Sequence, residues 1–284
     1  NQQLAFEPSE YKHILNLLGH STIGGVFATN ASGSRRIQVG AARDHLLGVR
    51  FIDGLGKVVK NGGRVMKNVT GYDLVKLMAG SWGTLGIITE VSFKVLPIAE
   101  TQVTLQIASR EASILTRAMN TPYDVSGTFY DVASGFAYIR IEGFDKSVKY
   151  RVQQLLNEFS DFEIDIFDAE ESKKFWSDVN NLAFLKNMQG DLWRISVRPT
   201  DGIQIIKKLD PKASYLDWSG GLVWLRVEEG FNVREKMQKM SGHAMCLSGS
   251  FNQFHPVSTI EKTLSTSIRK KFDPKMLFNQ QVLN

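Results

Sequence analysis

Beyond Pro97 the order of apolar and polar residues alternates between period-two runs and helical stretches. Val103–Ile107 predicts a strand, Arg110–Met119 a helix, and Ser126–Tyr130 and Ala137–Glu142 two strands. Lys146–Phe159 predicts a helix, because Val148, Val152, Leu155, Leu156 and Phe159 recur on one face. Glu163–Phe167 completes the round as a strand. A second round follows. Helices are predicted over Ala169–Leu185, Gly202–Leu209 and Phe231–Met240. Strands are predicted over Leu192–Val197, Ala213–Leu216, Gly221–Val227 and His243–Leu247. Two successive ferredoxin-like βαββαβ units fit this rhythm, although no repeat is evident in the residues themselves. A last helix is predicted over Ser258–Phe272.

Before Pro97 the pattern is shorter and looser. Leu47–Ile52 alternates and ends in Asp53-Gly54, a hairpin signal ahead of Lys57-Val58-Val59. Leu74–Met78 predicts a short helix. Ile87–Leu96 predicts a strand with Ile87, Thr89, Val91, Phe93 and Val95 on one face, ended by Pro97. Fourteen of the 24 glycines fall in this part, which predicts tight turns or close backbone approach to a ligand.

Length and composition narrow the classes. A chain of 284 residues fits one large domain or two ordinary ones. With 43% hydrophobic and 22% charged residues, global disorder is excluded. The single Cys246 excludes an intrachain disulfide framework and a chain-encoded iron–sulfur cluster. No apolar run is long enough to span a membrane, and Asn1-Gln2-Gln3-Leu4 does not open a signal peptide. The expected location is therefore cytoplasmic. Of the net charge of +5, the excess lies between Arg35 and Lys76, where nine basic residues face three acids. That zone predicts either an anionic ligand or acidic partner, or a solvated basic face. It is interleaved with glycine and not with aromatics, so nucleic acid is not the expected partner.

Two stretches invite chemistry. Ile23–Ser34 is rich in small residues whose backbone N–H groups could cradle an anion, the alternative being a plain Gly/Ser turn. It matches neither the Walker A nor the G-x-G-x-x-G pattern. Gly80, Gly83 and Gly86 recur every three residues and lead into Ile87-Ile88-Thr89, so a flat ligand could lie against main chain there, the alternative being a glycine-rich bend, which the stretch taken alone favours. No histidine pair has metal-ligand spacing; His243 and His255 could converge only through folding.

Taken together these stretches resemble a known family. The strings TIGGVFATNASGSRRIQVGAARDHLLGV and GGRVMKNVTGYDLVKLMAGSWGTLGIITEVSFKVLP resemble the later half of the FAD-binding domain of PCMH-type (vanillyl-alcohol-oxidase) flavoproteins. RVMKNVTGYDL, LWRISVRP and FDPKMLFN are most similar to the FAD-binding E-type subunits of bacterial glycolate dehydrogenases. The resemblance implies an α+β fold. Residues 1–98 would be the second subdomain of a PCMH-type FAD domain, and 99–256 a ferredoxin-like FAD-oxidase cap. Residues 257–284 would form a helix and tail returning to the FAD domain. It also implies that a first FAD subdomain, with its pyrophosphate loop, is missing from this chain.

The same resemblance implies non-covalent FAD beside Thr22, Gly24, Gly25, Thr29, Asn30, Ser32, Gly80, Gly83, Gly86, Ile87 and Ile88. Trp82 stands where relatives often carry an acid, which leaves contacts at that position open. The H-x-G-D-G-N-x-H motif that holds hydroxy acid and metal in many relatives is replaced here. His243 and His255 remain as the catalytic candidates, with no metal ligands. The implied activity is glycolate oxidation in a complex with a D-type FAD subunit and an iron–sulfur F-type subunit, peripheral to the inner membrane through those partners. The alternatives are a stand-alone D-lactate type dehydrogenase and a non-catalytic scaffold.

Overall fold

The computed structural model describes residues 1–15, 17–66, 71–237 and 240–283. The chain begins with β1 (Gln2–Gln3), α1 (Ile23–Thr29), α2 (Arg36–Val39), α3 (Ala42–His45), β2 (Leu46–Ile52), β3 (Val58–Gly62), α4 (Leu74–Met78), β4 (Ile87–Phe93) and β5 (Leu96–Pro97). Antiparallel β3-β2-β4 form a small sheet, and β1 pairs with β5. The hairpin expected at Asp53-Gly54 is present: Asp53 Oδ1 accepts from the N–H groups of Leu55 and Lys57, both at 2.9 Å. The core under this sheet gathers Phe6, Phe27, Leu46, Phe51 and Met78, all buried.

One strand departs from its expected pattern. β4 pairs Glu90 with Arg50 and Ile88 with Phe51, so Thr89 is left out of the ladder as a bulge. The bulge shifts the phase of the alternation. Ile88 joins Val91 and Phe93 against the core, and Ile87 turns out to solvent. The strand also stops at Phe93, although the pairing runs one step further, with Lys94 N–H donating to His45 O at 2.8 Å in the same register.

The rest of the chain supplies β6 (Thr101–Ala108), α5 (Ser113–Met119), β7 (Gly127–Asp131), β8 (Phe136–Gly143), α6 (Asp145–Glu158) and β9 (Ile164–Phe167). They are followed by α7 (Ala169–Asn180), β10 (Asp191–Ser196), α8 (Gly202–Leu209), β11 (Ala213–Asp217), β12 (Leu222–Val227), α9 (Val233–Lys236), β13 (His243–Ser248) and α10 (Thr259–Phe272). The large sheet has the order β13-β10-β12-β11-β7-β8-β6-β9, antiparallel throughout. Numbered within each βαββαβ round, both halves read 2-3-1-4, the ferredoxin-like order, and they join edge to edge at β7 and β11. The helices α5, α6 and α8 cover one face of this sheet with a continuous apolar core.

Three expected helices are shorter than the pattern suggested, and α5 begins at Ser113 and not at Arg110. α7 opens on a capping box, in which Asp168 Oδ1 accepts from Glu170 and Glu171 N–H and Glu171 returns a carboxylate to Asp168 N–H. It ends at Asn180 because Leu182 adopts a left-handed φ of 54°. α9 spans four residues, and part of its expected range, 238–239, lies outside the described residues.

A buried ionic cluster joins the two sheets. Arg140 of β8, fully buried, donates from Nη1 and Nη2 to the two oxygens of Glu7, both at 2.8 Å. Arg35 pairs with Glu7 at 3.3 Å and with Glu142. Burial opposes ionisation of Glu142, but Arg140 and Arg35 hold its carboxyl below the usual carboxylate value. Beside them Asp217 Oδ2 accepts from Ser34 Oγ at 2.7 Å, and its other oxygen accepts from Trp218 N–H at 2.6 Å. Desolvation dominates at Asp217 and pushes its pKa up to about 6.

A carboxyl that holds its proton more tightly when folded stabilises the fold at acid pH. That contribution is complete below the ordinary value of 3.8 and is lost as pH rises through about 6. Asp217→Asn is expected to flatten the fall in stability between pH 4 and 7 and to raise the unfolding midpoint above pH 7. Urea titrations of both proteins across that range test this; parallel curves would contradict it.

Candidate functional site

The glycine-rich stretches meet on one surface. Residues 23–29, read from sequence as an anion-cradling loop or a turn, form helix α1, with Thr22 as N-cap accepting from Gly25 N–H at 3.1 Å. The N–H groups expected to line a nest are thus largely spent inside the helix. The 80–88 segment then wraps the end of α1. Gly80 N–H donates to Phe27 O at 3.1 Å and Trp82 N–H to Ala28 O at 2.8 Å. Gly24 lies on Ile88, where an added Cβ would sit in ordinary contact at 3.7 Å.

The eleven residues carrying the cofactor expectation do not share one exposure. Thr22, Gly25, Gly80 and Ile87 are exposed; Gly24, Thr29, Asn30, Gly83 and Ile88 are half-buried. Ser32 and Gly86 are buried. The Ser32 hydroxyl donates to Asn30 O and accepts from Ala42 N–H at 2.9 Å, so it fastens α3. The Thr29 hydroxyl donates to Gly25 O at 2.8 Å. Asn30, with φ at 54°, closes α1, and its side chain accepts from Arg43 N–H at 2.8 Å. Gly86 meets Ile52 O at 2.6 Å and Phe51 Cδ2 at 2.9 Å from the place a Cβ would take, so only glycine fits.

The nine basic residues do not form one anionic-ligand face. Arg35 is in the buried cluster, and Arg50 pairs with Glu90 at 3.2 Å. The Lys76 ammonium donates to the carbonyls of Arg43 and Leu46. Lys67 lies outside the described residues.

The histidines do converge. The rings of His243 and His255 stand edge to face, 5.6 Å apart between centroids. His255 Nδ1 accepts from Ala244 N–H at 3.2 Å, which assigns the remaining ring proton to Nε2 in the neutral form. Burial, then His243 and Arg234, lower the His255 pKa, favouring that form. No group of three or more His, Cys, Asp or Glu side chains is placed to hold a metal among the described residues. Phe254, one residue before His255, packs edge-on against Trp82 at 4.9 Å. The Asn279 amide donates to Trp82 O from the C-terminal tail. Trp82 is therefore the joint between the glycine surface and the histidine loop. Nothing in the linear spacing of residues 82, 254 and 279 signals that meeting.

This surface combines exposed main chain with apolar side chains. β4 is an edge strand, paired with β2 alone, so alternate backbone groups face away from the ladder. Ile23 and Ile87 expose apolar side chains beside it at 40% and 56%. Gly80 and Gly83 carry positive φ, 82° and 67°; Gly80 is exposed, whereas the Asn279 side chain lies over Gly83, 3.0 Å from the place a Cβ would take. Two cavities of about 540 and 420 Å³ lie away from it.

A profile of the FAD binding domain matches residues 9–62. The chain is 34% identical to the glycolate oxidase subunit GlcE of Escherichia coli (strain K12), over 98% of its own length and 74% of that protein's. It is 44% identical over 85 residues to the glycolate oxidase subunit GlcD of Bacillus subtilis (strain 168), a match covering 30% of this chain and 18% of the relative. A D-lactate dehydrogenase of Anaerostipes hadrus is 44% identical over 87 residues, again 18% of that protein. Among solved structures, alkyldihydroxyacetonephosphate synthase superposes with a TM-score of 0.65 at 16% identity, over 96% of this chain and 59% of that one. The last similarity concerns the fold. The chain belongs to the family of FAD-dependent oxidoreductases that contains the glycolate oxidase subunit GlcE. FAD is the cofactor of that class.

The close fit at Gly86 gives a stability test. Gly86→Ala should cost about 1–3 kcal/mol, because its Cβ meets fixed backbone. Gly24→Ala should be neutral or stabilising by up to about 1 kcal/mol, since alanine is the better helix residue and finds room. Equal effects in urea denaturation would refute the packing described here.

Proposed function

We propose that this chain is the FAD-binding subunit of a 2-hydroxy-acid dehydrogenase complex that oxidises glycolate, holding FAD without a covalent link. The observation that supports this reading best is the extent of the GlcE similarity. It runs through 98% of the chain, large sheet included, whereas the GlcD match covers 30%. A D-type flavin subunit and an iron–sulfur F-type subunit are the partners in this reading. No helix among the described residues is long and apolar enough to cross a membrane, so membrane attachment would come through those partners.

In this reading residues 1–98 belong to the FAD domain and 99–256 to the cap. Residues 257–284 return to the FAD domain: Gly54 N–H donates to Phe272 O at 2.8 Å, and Phe272 packs on Phe51. FAD, when bound, supplies the two-electron acceptance that the side chains lack. The chain's own residues position it. Gly25 and Gly80, both exposed, let a ligand approach the main chain, and Ile23 and Ile87 offer apolar contact. His255, neutral with its proton on Nε2, offers a hydrogen-bond donor next to the Trp82–Phe254 contact.

The test is the visible flavin spectrum of the purified chain after incubation with FAD and desalting, alone and with a D-type subunit. Retained flavin that bleaches on addition of glycolate, and less so with D-lactate, is expected. Absence of flavin in both preparations would overturn the reading. Ile87→Glu should weaken FAD retention about tenfold. Its unfolding midpoint should stay unchanged, because the position is more than half exposed.

A further inference from the structure

Two guanidinium groups lie against the ring of Trp218. The Arg36 guanidinium carbon lies 4.4 Å from the centre of its ring, and that of Arg194 lies 4.9 Å from the same ring and 5.7 Å from Trp224. Both arginines are half-buried, and Trp218 and Trp224 are each 4% exposed. Among the described residues neither guanidinium has a hydrogen-bond or ion-pair partner. The other buried arginines of the junction, Arg35 and Arg140, are each paired to carboxylates. Burial, then the charge of Arg194, lower the Arg36 pKa, with Asp44 opposing them. Asp44 is itself engaged, accepting from Ala41 N–H at 2.8 Å.

The ring that carries these charges is held at a conformational cost. Trp218 and Ser219 both adopt left-handed backbone, with φ of 52° and 60°, before Gly220 at 95°. Two consecutive non-glycine residues in that region cost about 1–2 kcal/mol each. The indole N–H donates to Gly33 O at 2.9 Å, and Trp218 N–H donates to Asp217. The ring is thus pinned from the small-sheet side and the large-sheet side at once. Arg194 also faces the same side of the large sheet as His243, because β10 pairs Arg194 with Met245 and Ser196 with His243.

We propose that Arg36 and Arg194, stacked on Trp218, form a recognition site for a small carboxylate anion. Arginine cannot shed its proton to relieve like-charge repulsion, so two half-buried, unneutralised guanidiniums at one buried ring call for an anion. Their planar forks match the two oxygens of a carboxylate. Tied to the proposed function, the ligand is the carboxylate of the 2-hydroxy acid or of its oxidation product. This chain would then carry part of substrate recognition itself. Arg36 and Arg194 are binding residues in this assignment.

The experiment is isothermal titration of the full chain with oxalate and with glycolate, and in parallel with inorganic phosphate. Wild type, Arg36→Gln, Arg194→Gln and Arg194→Lys are compared, and thermal unfolding confirms that each variant is folded. Carboxylate binding that weakens about tenfold or more in each glutamine variant, and less in Arg194→Lys, is expected. No carboxylate binding by wild type overturns the proposal. So does binding that the glutamine variants leave unchanged, or phosphate binding as tight as oxalate with the same arginine dependence. FAD retention is measured on the same proteins. Carboxylate binding without flavin leaves this proposal standing while the flavin-subunit reading falls, and flavin retained without carboxylate binding does the reverse.

Discussion

The bidentate contact between Arg140 and Glu7 is the point on which the arrangement of the two sheets depends. Arg140 is buried on the large sheet, and Glu7 arrives on the loop after β1. A charge taken out of water is tolerable only when its partner is fixed, and removing either side of such a pair typically costs about 3–5 kcal/mol. Arg35, Glu142 and Asp217 complete the set, drawn from widely separated stretches of the chain. Gly33 lies at the tightest point, where an added Cβ would meet Glu7 O and Asn180 Oδ1 at 2.4 Å. Packing and charge therefore fix the junction together.

The junction decides what else can meet. With the sheets held in this relation, the loop after β13 brings Phe254 onto Trp82, and His255 is carried to the edge of the glycine surface. The tail reaches the same place through Asn279. A surface rather than a closed cavity results on this side, which suits a cofactor that needs contacts from more than one element. The bulge at Thr89 supplies the other half of that surface by releasing Ile87 from the core.

Much of the large sheet was legible from apolar periodicity. Its strands and helices are regular, and their faces are set by one core, so residues such as Val148, Leu155 and Phe159 declare themselves. The two 2-3-1-4 orders follow from that rhythm. The glycine-rich part was less legible. Gly24 and Gly25 argue against a helix by propensity, and tertiary packing on Ile88 overrides them. The phase of β4 was misjudged because a single extra residue inverts inside and outside. The convergence of Arg36 with Arg194, and of His243 with His255, depends on sheet register and loop path. No local spacing encodes either.

The ionic cluster also sets an order of events during synthesis. Glu7 and Arg35 leave the ribosome well before Asp217, which follows about 180 residues after Arg35. At ordinary elongation rates that is an interval of roughly 10–40 s. Through that time Glu7 and Arg35 have only each other to pair with, since Arg140, Glu142 and Asp217 are still to come. The junction is therefore a late closure of the fold, completed only when residues from both sides of it are present.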